Sequence, residues 1–381
     1  MSGLEAVRAE LEAAARAGPA ALDGALAGRQ VPLVGGGRAL FVYRGEADVV
    51  KLQHWIYGLP SAQPFERVAG TDLWLLSTEL QERARVEYKL EVARGGQHEL
   101  IRDPLNPAFA NDPFGSNSVV QGPGYAPPDW AFEQPAARRG EVVERRLKSD
   151  VFGDVRPLSI YLPARFRTTR RYPLLIVHDG LDYLRFTSLA TVLDNLIHRL
   201  EIPPLVAAMT QSPNRMEEYA ASEKHVRFLA DELVPLLESE FPLLDDPQDR
   251  ALVGASFGAV ASLHAAWTRP GLFGKLLLQS GSFAFTDIGE HGRGPAFDPV
   301  VRFVNAFRAN PVKPADHVFL SCGVYESLIW FNRSLAPLLA ETGAEVRLVE
   351  AQDGHNWENW RDRLREGLTW LFPGPIGRVY E

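Results

Sequence analysis

The sequence predicts a mostly parallel α/β domain preceded by a smaller β-sandwich. Three observations carry this. Short alternating runs without an intervening helix fill the first third. Strand and helix patterns alternate after about residue 142. A Gly-Ala-Ser-Phe-Gly pentad joins a continuous apolar run to a small-residue helix at residues 254–258.

In chain order, residues 4–17 read as a helix, with Leu4, Val7 and Leu11 on one face and Gly18-Pro19 as the stop. "RALFVYRG", "VVKLQHWIYG", "DLWLLSTEL" and "RVEYKLEVARGG" then alternate apolar and polar residues between Gly, Pro and Asp turns, as sandwich strands do. Residues 103–135 are rich in Pro, Gly and Asn and read as an ordered linker leaving the sandwich. The expected boundaries are a helical segment at 1–29, the sandwich at 30–125, a linker at 126–141 and the catalytic domain at 142–381.

In the second half, "YPLLIVHDG", "PLVAAMT" and "RALVGA" are apolar throughout, the pattern of strands buried on both faces. "LATVLDNLIHRL", "GAVASLHAAWTR" and "SLAPLLAETG" read as helices, and "SEKHVRFLADELVPLLESEF" as one long amphipathic helix. "GKLLLQSG", "HVFLSCG" and "EVRLVEAQ" supply the remaining strands.

Composition limits the functional classes. The chain has 381 residues, 46% hydrophobic and 23% charged, enough for a substantial core. Its net charge of −8 argues against a nucleic-acid partner, because phosphate binding wants a basic face. A single cysteine, Cys322, excludes an intrachain disulfide and suits a reducing compartment. The N-terminal residues carry acids early and do not read as a secretory signal. No apolar run approaches the roughly 20 residues that span a bilayer. The expectation is a cytoplasmic protein without a membrane partner; a homo-oligomer stays open.

The pentad fits G-x-S-x-G, the elbow that lifts a nucleophilic serine clear of a strand-to-helix turn. "RALVGA" before it and "GAVASLHAAW" after it supply that strand and helix. Ser256 is therefore the candidate nucleophile. The Phe257 N–H, at the helix N-terminus, faces the developing oxyanion. The second donor should come from the turn in "LLIVHDGLDY": Leu181 is the first choice and Gly180 the alternative.

A serine hydroxyl needs a base. In a hydrolase of this topology the order is serine, acid, histidine. Of nine histidines, His264 sits on the helix leaving the elbow, and His291 and His317 precede the strand that should deliver the acid. His355, in "AQDGHNWENW" after the last strand, remains as the base. Glu326, at the end of "HVFLSCG", is the candidate acid; Asp353 lies on the histidine's own loop, where reach is awkward. This chemistry asks for no cofactor and no metal, and its partner is a small-molecule ester.

"ALVGASFGAV", "LFGKLLLQSGSF", "NRMEEYAASEKHVRFLADELVPLL" and "DGHNWENWRDRL" together resemble the enterochelin (ferric siderophore) esterase branch of the putative-esterase family. The resemblance covers roughly residues 142–372 and implies the α/β-hydrolase fold. The family also includes feruloyl and acetyl xylan esterases. "ALFVYRG", "DLWLLST", "VEYKLEV", "DPLNP" and "FGSNSVV" are similar to the Ig-like domain preceding the catalytic domain of that branch. The family's nucleophile, base and acid carry over to Ser256, His355 and Glu326. Ala259 stands where members commonly have glycine.

Arg215 and Glu218 match the family's R-x-x-E pattern, read as an ion pair pinning a loop beside the cleft, with a substrate contact by Arg215 as the other reading. Loops 182–192, 283–299 and 325–333 would shape the pocket. Trp330 and Trp357 are candidate substrate contacts, within a set of aromatics that also includes Phe283, Phe285, Phe331 and Trp360. The resemblance implies a serine carboxylic ester hydrolase of enterochelin-esterase type, with aryl, feruloyl or acetyl esters as alternatives. From another class comes a glycan-binding protein on a non-catalytic hydrolase scaffold, for which Trp55, Tyr57 and Trp74 would stack on sugars.

Overall fold

The structure, a computed structural model, describes residues 3–286 and 291–375. Part of the 283–299 loop, residues 287–290, lies outside the described residues. The chain divides into two compact units. The first is Met1–Ala126 with two later segments, Gly323–Ser327 and Ala351–His355. The second is Pro127–Cys322, Leu328–Glu350 and Asn356–Glu381.

Among the described residues of the first unit are two antiparallel sheets. One runs Leu33–Gly35, Arg38–Arg44, Leu73–Glu79, Glu66–Arg67. The other runs Ala62–Pro64, Val49–His54, Arg85–Arg94, Gly115–Gln121, Phe109–Asp112, with Gln97–Ile101 also paired to Arg85–Arg94. Phe41, Tyr43, Leu52, Tyr88 and Leu90 fill the space between the sheets. Phe41 and Tyr88 meet edge to face at 5.0 Å. Strand Arg38–Arg44 is buried on both faces rather than one. Helices Gly3–Ala17 and Pro19–Leu26 cover its outer side, setting Leu11 and Leu22 against Leu40, Val42 and Leu75. Pro19 thus opens a second helix as well as closing the first; its missing N–H costs nothing at a helix start.

Residues 103–135 are not simply a linker. Residues 109–121 form a hairpin within the second sheet, with Ser118 opposite Phe109. The polar residues before it satisfy the interior: Tyr88 Oη donates to Asp103 at 2.7 Å, and Asn106 donates to Val119 O at 2.8 Å. Composition hid these strands because Asn, Gly and Pro are poor strand formers. Trp74 is core, its Nε1 donating to Gly45 O at 3.1 Å, whereas Trp55 and Tyr57 are exposed.

The second unit holds a sheet of eight strands among the described residues. Its order is Glu141–Ser149, Asp154–Leu162, Val206–Thr210, Leu174–Val177, Arg250–Ala255, Lys275–Gln279, His317–Gly323, Glu345–Ala351. The first two form an antiparallel hairpin, and the strands from Val206–Thr210 to His317–Gly323 are parallel. Leu174 and Ile176 point to one core layer, with Leu229, Val260, Leu263 and Phe303. Leu175 and Val177 point to the other, with Leu193, Leu196, Leu364 and Leu368. This alternation explains why a strand covered on both faces is apolar throughout.

The expected single helix at 222–241 is α-helical at Glu223–Arg227 and Val234–Glu240, with a π segment at Phe228–Leu233. Pro235 is the second residue of the α segment that follows; it has no N–H to close an α turn, and the wider turn precedes it. Trp130 and Ala131 belong to the second core layer, and Asn195 Nδ2 donates to the carbonyls of Trp130 and Phe132 at 2.8 Å. No helix among the described residues is long and apolar enough to cross a membrane.

Candidate active site

Ser256 stands between strand Arg250–Ala255 and helix Phe257–Thr268. Its backbone lies at φ 56°, ψ −117°, a conformation an L residue adopts only when its surroundings impose it. The impositions are visible. Ser256 N donates to Gln279 O at 2.9 Å, and Ser282 N donates to Ser256 O at 3.2 Å. A Cβ on Gly254 would lie 2.3 Å from the Gly258 backbone, so glycine there lets the helix start against the strand. Ser256 Oγ is 3.1 Å from Ser282 Oγ. The first N–H groups of the helix, Phe257 among them, have no carbonyl four residues back and carry its positive end. The Phe257 ring is buried, edge-on to Phe297 at 5.0 Å.

The neighbouring parallel strand Leu174–Val177 ends in the turn expected to give the second oxyanion donor. A Cβ on Gly258 would lie 3.2 Å from His178 Cβ and 3.5 Å from the Asp179 carboxylate, so this turn packs against the elbow. Asp179 takes the left-handed conformation at φ 52°. Leu181 N donates to Gln211 Oε1 at 3.3 Å, a long bond. Gln211 must give way before that N–H can serve an oxyanion.

Arg215 does not pair with Glu218. It grips Asp179, Nε and Nη2 lying 2.9–3.3 Å from the two carboxylate oxygens, and so fixes the turn. Glu218 instead accepts from Arg156 at 2.8 Å and from Ser212 Oγ at 2.7 Å. The R-x-x-E spacing suggested a mutual pair, but Glu218 lies buried beside a different cation. Trp357 sits among Tyr183, Phe186 and Trp360, with ring centroids 4.7–5.6 Å away. Trp330 is exposed, beneath the Arg333 guanidinium.

In the first unit Glu326 and His355 meet: His355 Nδ1 is 2.6 Å from Glu326 Oε2. The carboxylate side chain is 1% exposed and the imidazole 39%. Gly323 N donates to Glu326 Oε1 at 2.7 Å, so each carboxylate oxygen has its own donor. Ser256 belongs to the second unit and this pair to the first.

One arrangement escaped the sequence. His178 Nε2 lies 2.9 Å from His225 Nε2, and His178 Nδ1 lies 3.1 Å from both Val253 O and Ser262 Oγ. Neutral rings close this chain when His178 keeps its proton on Nδ1 and His225 donates from Nε2. Burial pushes the His178 imidazole down to about 4 and His225 well below its ordinary value. The unfolded chain then takes up protons the folded one refuses, so stability falls as pH drops from about 6.5 towards 4. For His178 alone the loss at pH 5 is on the order of 2 kcal/mol. Denaturation at pH 7 and pH 5 measures it; equal stability at both would contradict this account.

Residues 149–371, more than half of the chain, match the family model described as "Putative esterase". The chain is 26% identical over 339 residues to the iron(III) enterobactin esterase of Escherichia coli O6:H1, covering 82% of this chain and 83% of that one. The enterobactin esterase structure from Shigella flexneri superposes with a TM-score of 0.71 at 23% identity, over 88% of this chain and 92% of that one. A ferulic acid esterase from Anaeromyces mucronatus reaches 0.52 at 18% identity, over 64% and 94%. The strand-to-helix serine, the mixed sheet with helices on both faces and these matches agree: the chain belongs to the putative-esterase family and is a carboxylic ester hydrolase of the α/β-hydrolase fold.

Proposed function

We propose that the chain cleaves enterobactin-type esters through an acyl-enzyme on Ser256. His355 takes the hydroxyl proton as Ser256 attacks the carbonyl, then returns it to the leaving alcohol. Glu326 holds the Nδ1 proton, leaving Nε2 as the acceptor, and steadies the imidazolium that forms. The Phe257 N–H, joined by that of Leu181 once Gln211 has moved, receives the oxyanion. Water then attacks the acyl-enzyme and releases the acid. Arg215 acts by holding Asp179 and the turn, and Trp330 and Trp357 offer aromatic surface to the substrate.

The observation that carries this reading is the buried Glu326 carboxylate 2.6 Å from the half-exposed His355 ring. A structural ion pair has no need to aim a carboxylate at Nδ1 and leave the rest of the imidazole accessible. The substrate class is supported by a likeness to enterobactin esterases that runs through both halves of the chain, whereas the feruloyl esterase likeness spans 64% of it. A reducing compartment suits the single buried Cys322, and the cytoplasm is the proposed location.

A turnover panel of a catecholate trilactone, aryl and feruloyl esters, and p-nitrophenyl acyl esters tests the substrate. The trilactone is expected to give the highest kcat/KM. Preference for a feruloyl or acetyl ester would move the assignment within the family. Polysaccharide binding without ester turnover would overturn it in favour of a scaffold that only binds.

A further inference from the structure

Two short segments from the second half of the chain belong to the same compact unit as the β-sandwich: Gly323–Ser327, which carries Glu326, and Ala351–His355, which carries His355. What ties them to the sandwich is specific. Arg85, the first residue of strand Arg85–Arg94, is fully buried. Its guanidinium lies between two carboxylates, 3.0 Å from Glu87 and 3.5 Å from Asp353. Its backbone N donates to Gln352 O at 2.8 Å. One residue therefore holds the base loop by main chain and side chain together.

Asp353 in turn holds both loops. Its carboxylate accepts from Gly354 N at 2.7 Å, and its carbonyl accepts from Tyr325 N at 3.2 Å. Tyr325, next to Glu326, packs against the sandwich core, and its carbonyl accepts from Tyr57 N at 2.8 Å. The buried Asp353 charge sits two residues before His355. Removing the Arg85 guanidinium takes a cation away from a carboxylate that is buried on this loop, and the loss falls at the backbone that carries His355.

We infer that Arg85 is a positioning residue for the esterase reaction: through Asp353 it fixes the loop that aligns His355 with Glu326. The inference rests on His355 being the base. It gives the sandwich a mechanistic task, because a strand outside the catalytic domain sets the geometry of the acid–base pair. A displacement of about 1 Å at a reacting group costs about 10²-fold. Loss of Arg85 should fall on kcat, because no substrate contact is removed.

The experiment uses the full chain, with Arg85→Met to keep volume without charge and Arg85→Lys to restore charge. Arg85→Met is expected to lower kcat about 10- to 100-fold, with KM nearly unchanged. Arg85→Lys should recover part of the loss. A readout independent of turnover is the downfield proton resonance of the His355 Nδ1–H···Glu326 bond, identified by its absence in His355→Gln. It should shift or broaden in Arg85→Met. If Arg85→Met fails to fold, Asp353→Asn makes the same test, because the amide oxygen still accepts from Gly354 N while the charge is gone. A folded variant with wild-type kcat and an unchanged resonance overturns the inference. So does a loss of activity no larger than the loss of folded protein. The resonance is read without substrate, so absence of ester turnover by the wild type would strike the esterase reading and not the placement of His355.

Discussion

Ser256→Ala is expected to lower kcat by about 10⁴- to 10⁶-fold and to leave the fold intact. The strain at position 256 lies in the backbone, at φ 56°. Alanine has the same Cβ and bears the same strain, so the elbow keeps its shape. The backbone bonds to Gln279 and Ser282 use main-chain atoms and survive. What is lost is the atom proposed to form the acyl bond. The proposed oxyanion donors at Phe257 and Leu181 remain in place, so some catalysis over water is expected to persist. An aryl phosphonate should label the wild type once, on the peptide containing Ser256, and leave Ser256→Ala unlabelled. Undiminished turnover by the variant would end the mechanism proposed here.

Much of this was legible in the sequence because it is local. The strand and helix flanking Ser256 are adjacent in the chain, and apolar runs such as 174–177 report burial directly. Glu326 and His355 could be chosen by chain order, since each follows its own strand. The features that were missed join distant positions. Arg215 is 36 residues from the Asp179 it holds, and Spacing within "NRMEE" could only suggest its near neighbour Glu218. His178 and His225 are 47 residues apart, and each alone reads as an ordinary core histidine. The 109–121 hairpin was hidden for another reason: its turn-forming composition contradicts its conformation, and partners in the sheet decide the outcome. Arg85 and Asp353 combine both difficulties, since nothing in a charged strand residue announces that it will be fully buried.

The proposed acid and base should separate by the size of their effects. His355→Gln is expected to cost as much as Ser256→Ala, about 10⁴- to 10⁶-fold in kcat, and the double variant should lose no more than either, because nucleophile and base act as a unit. Glu326→Gln should cost less, about 10²- to 10⁴-fold, and the reason is written in its contacts. Oε1 accepts from Gly323 N and Oε2 faces His355 Nδ1, so both acceptors are committed. Glutamine offers one acceptor and one donor. With its oxygen kept at Gly323, its amide would point N–H groups at Nδ1, and the imidazole satisfies that donor only by moving its proton to Nε2. That tautomer has no lone pair to receive the serine proton. Turning the amide the other way sets its N–H groups against the Gly323 N–H, in a site where the side chain is 1% exposed and water cannot mediate. Either way kcat falls while KM stays close to that of the wild type, since no substrate contact is touched. A Glu326→Gln variant within about tenfold of wild-type kcat would remove Glu326 from the mechanism and leave Ser256 and His355 to act as a dyad.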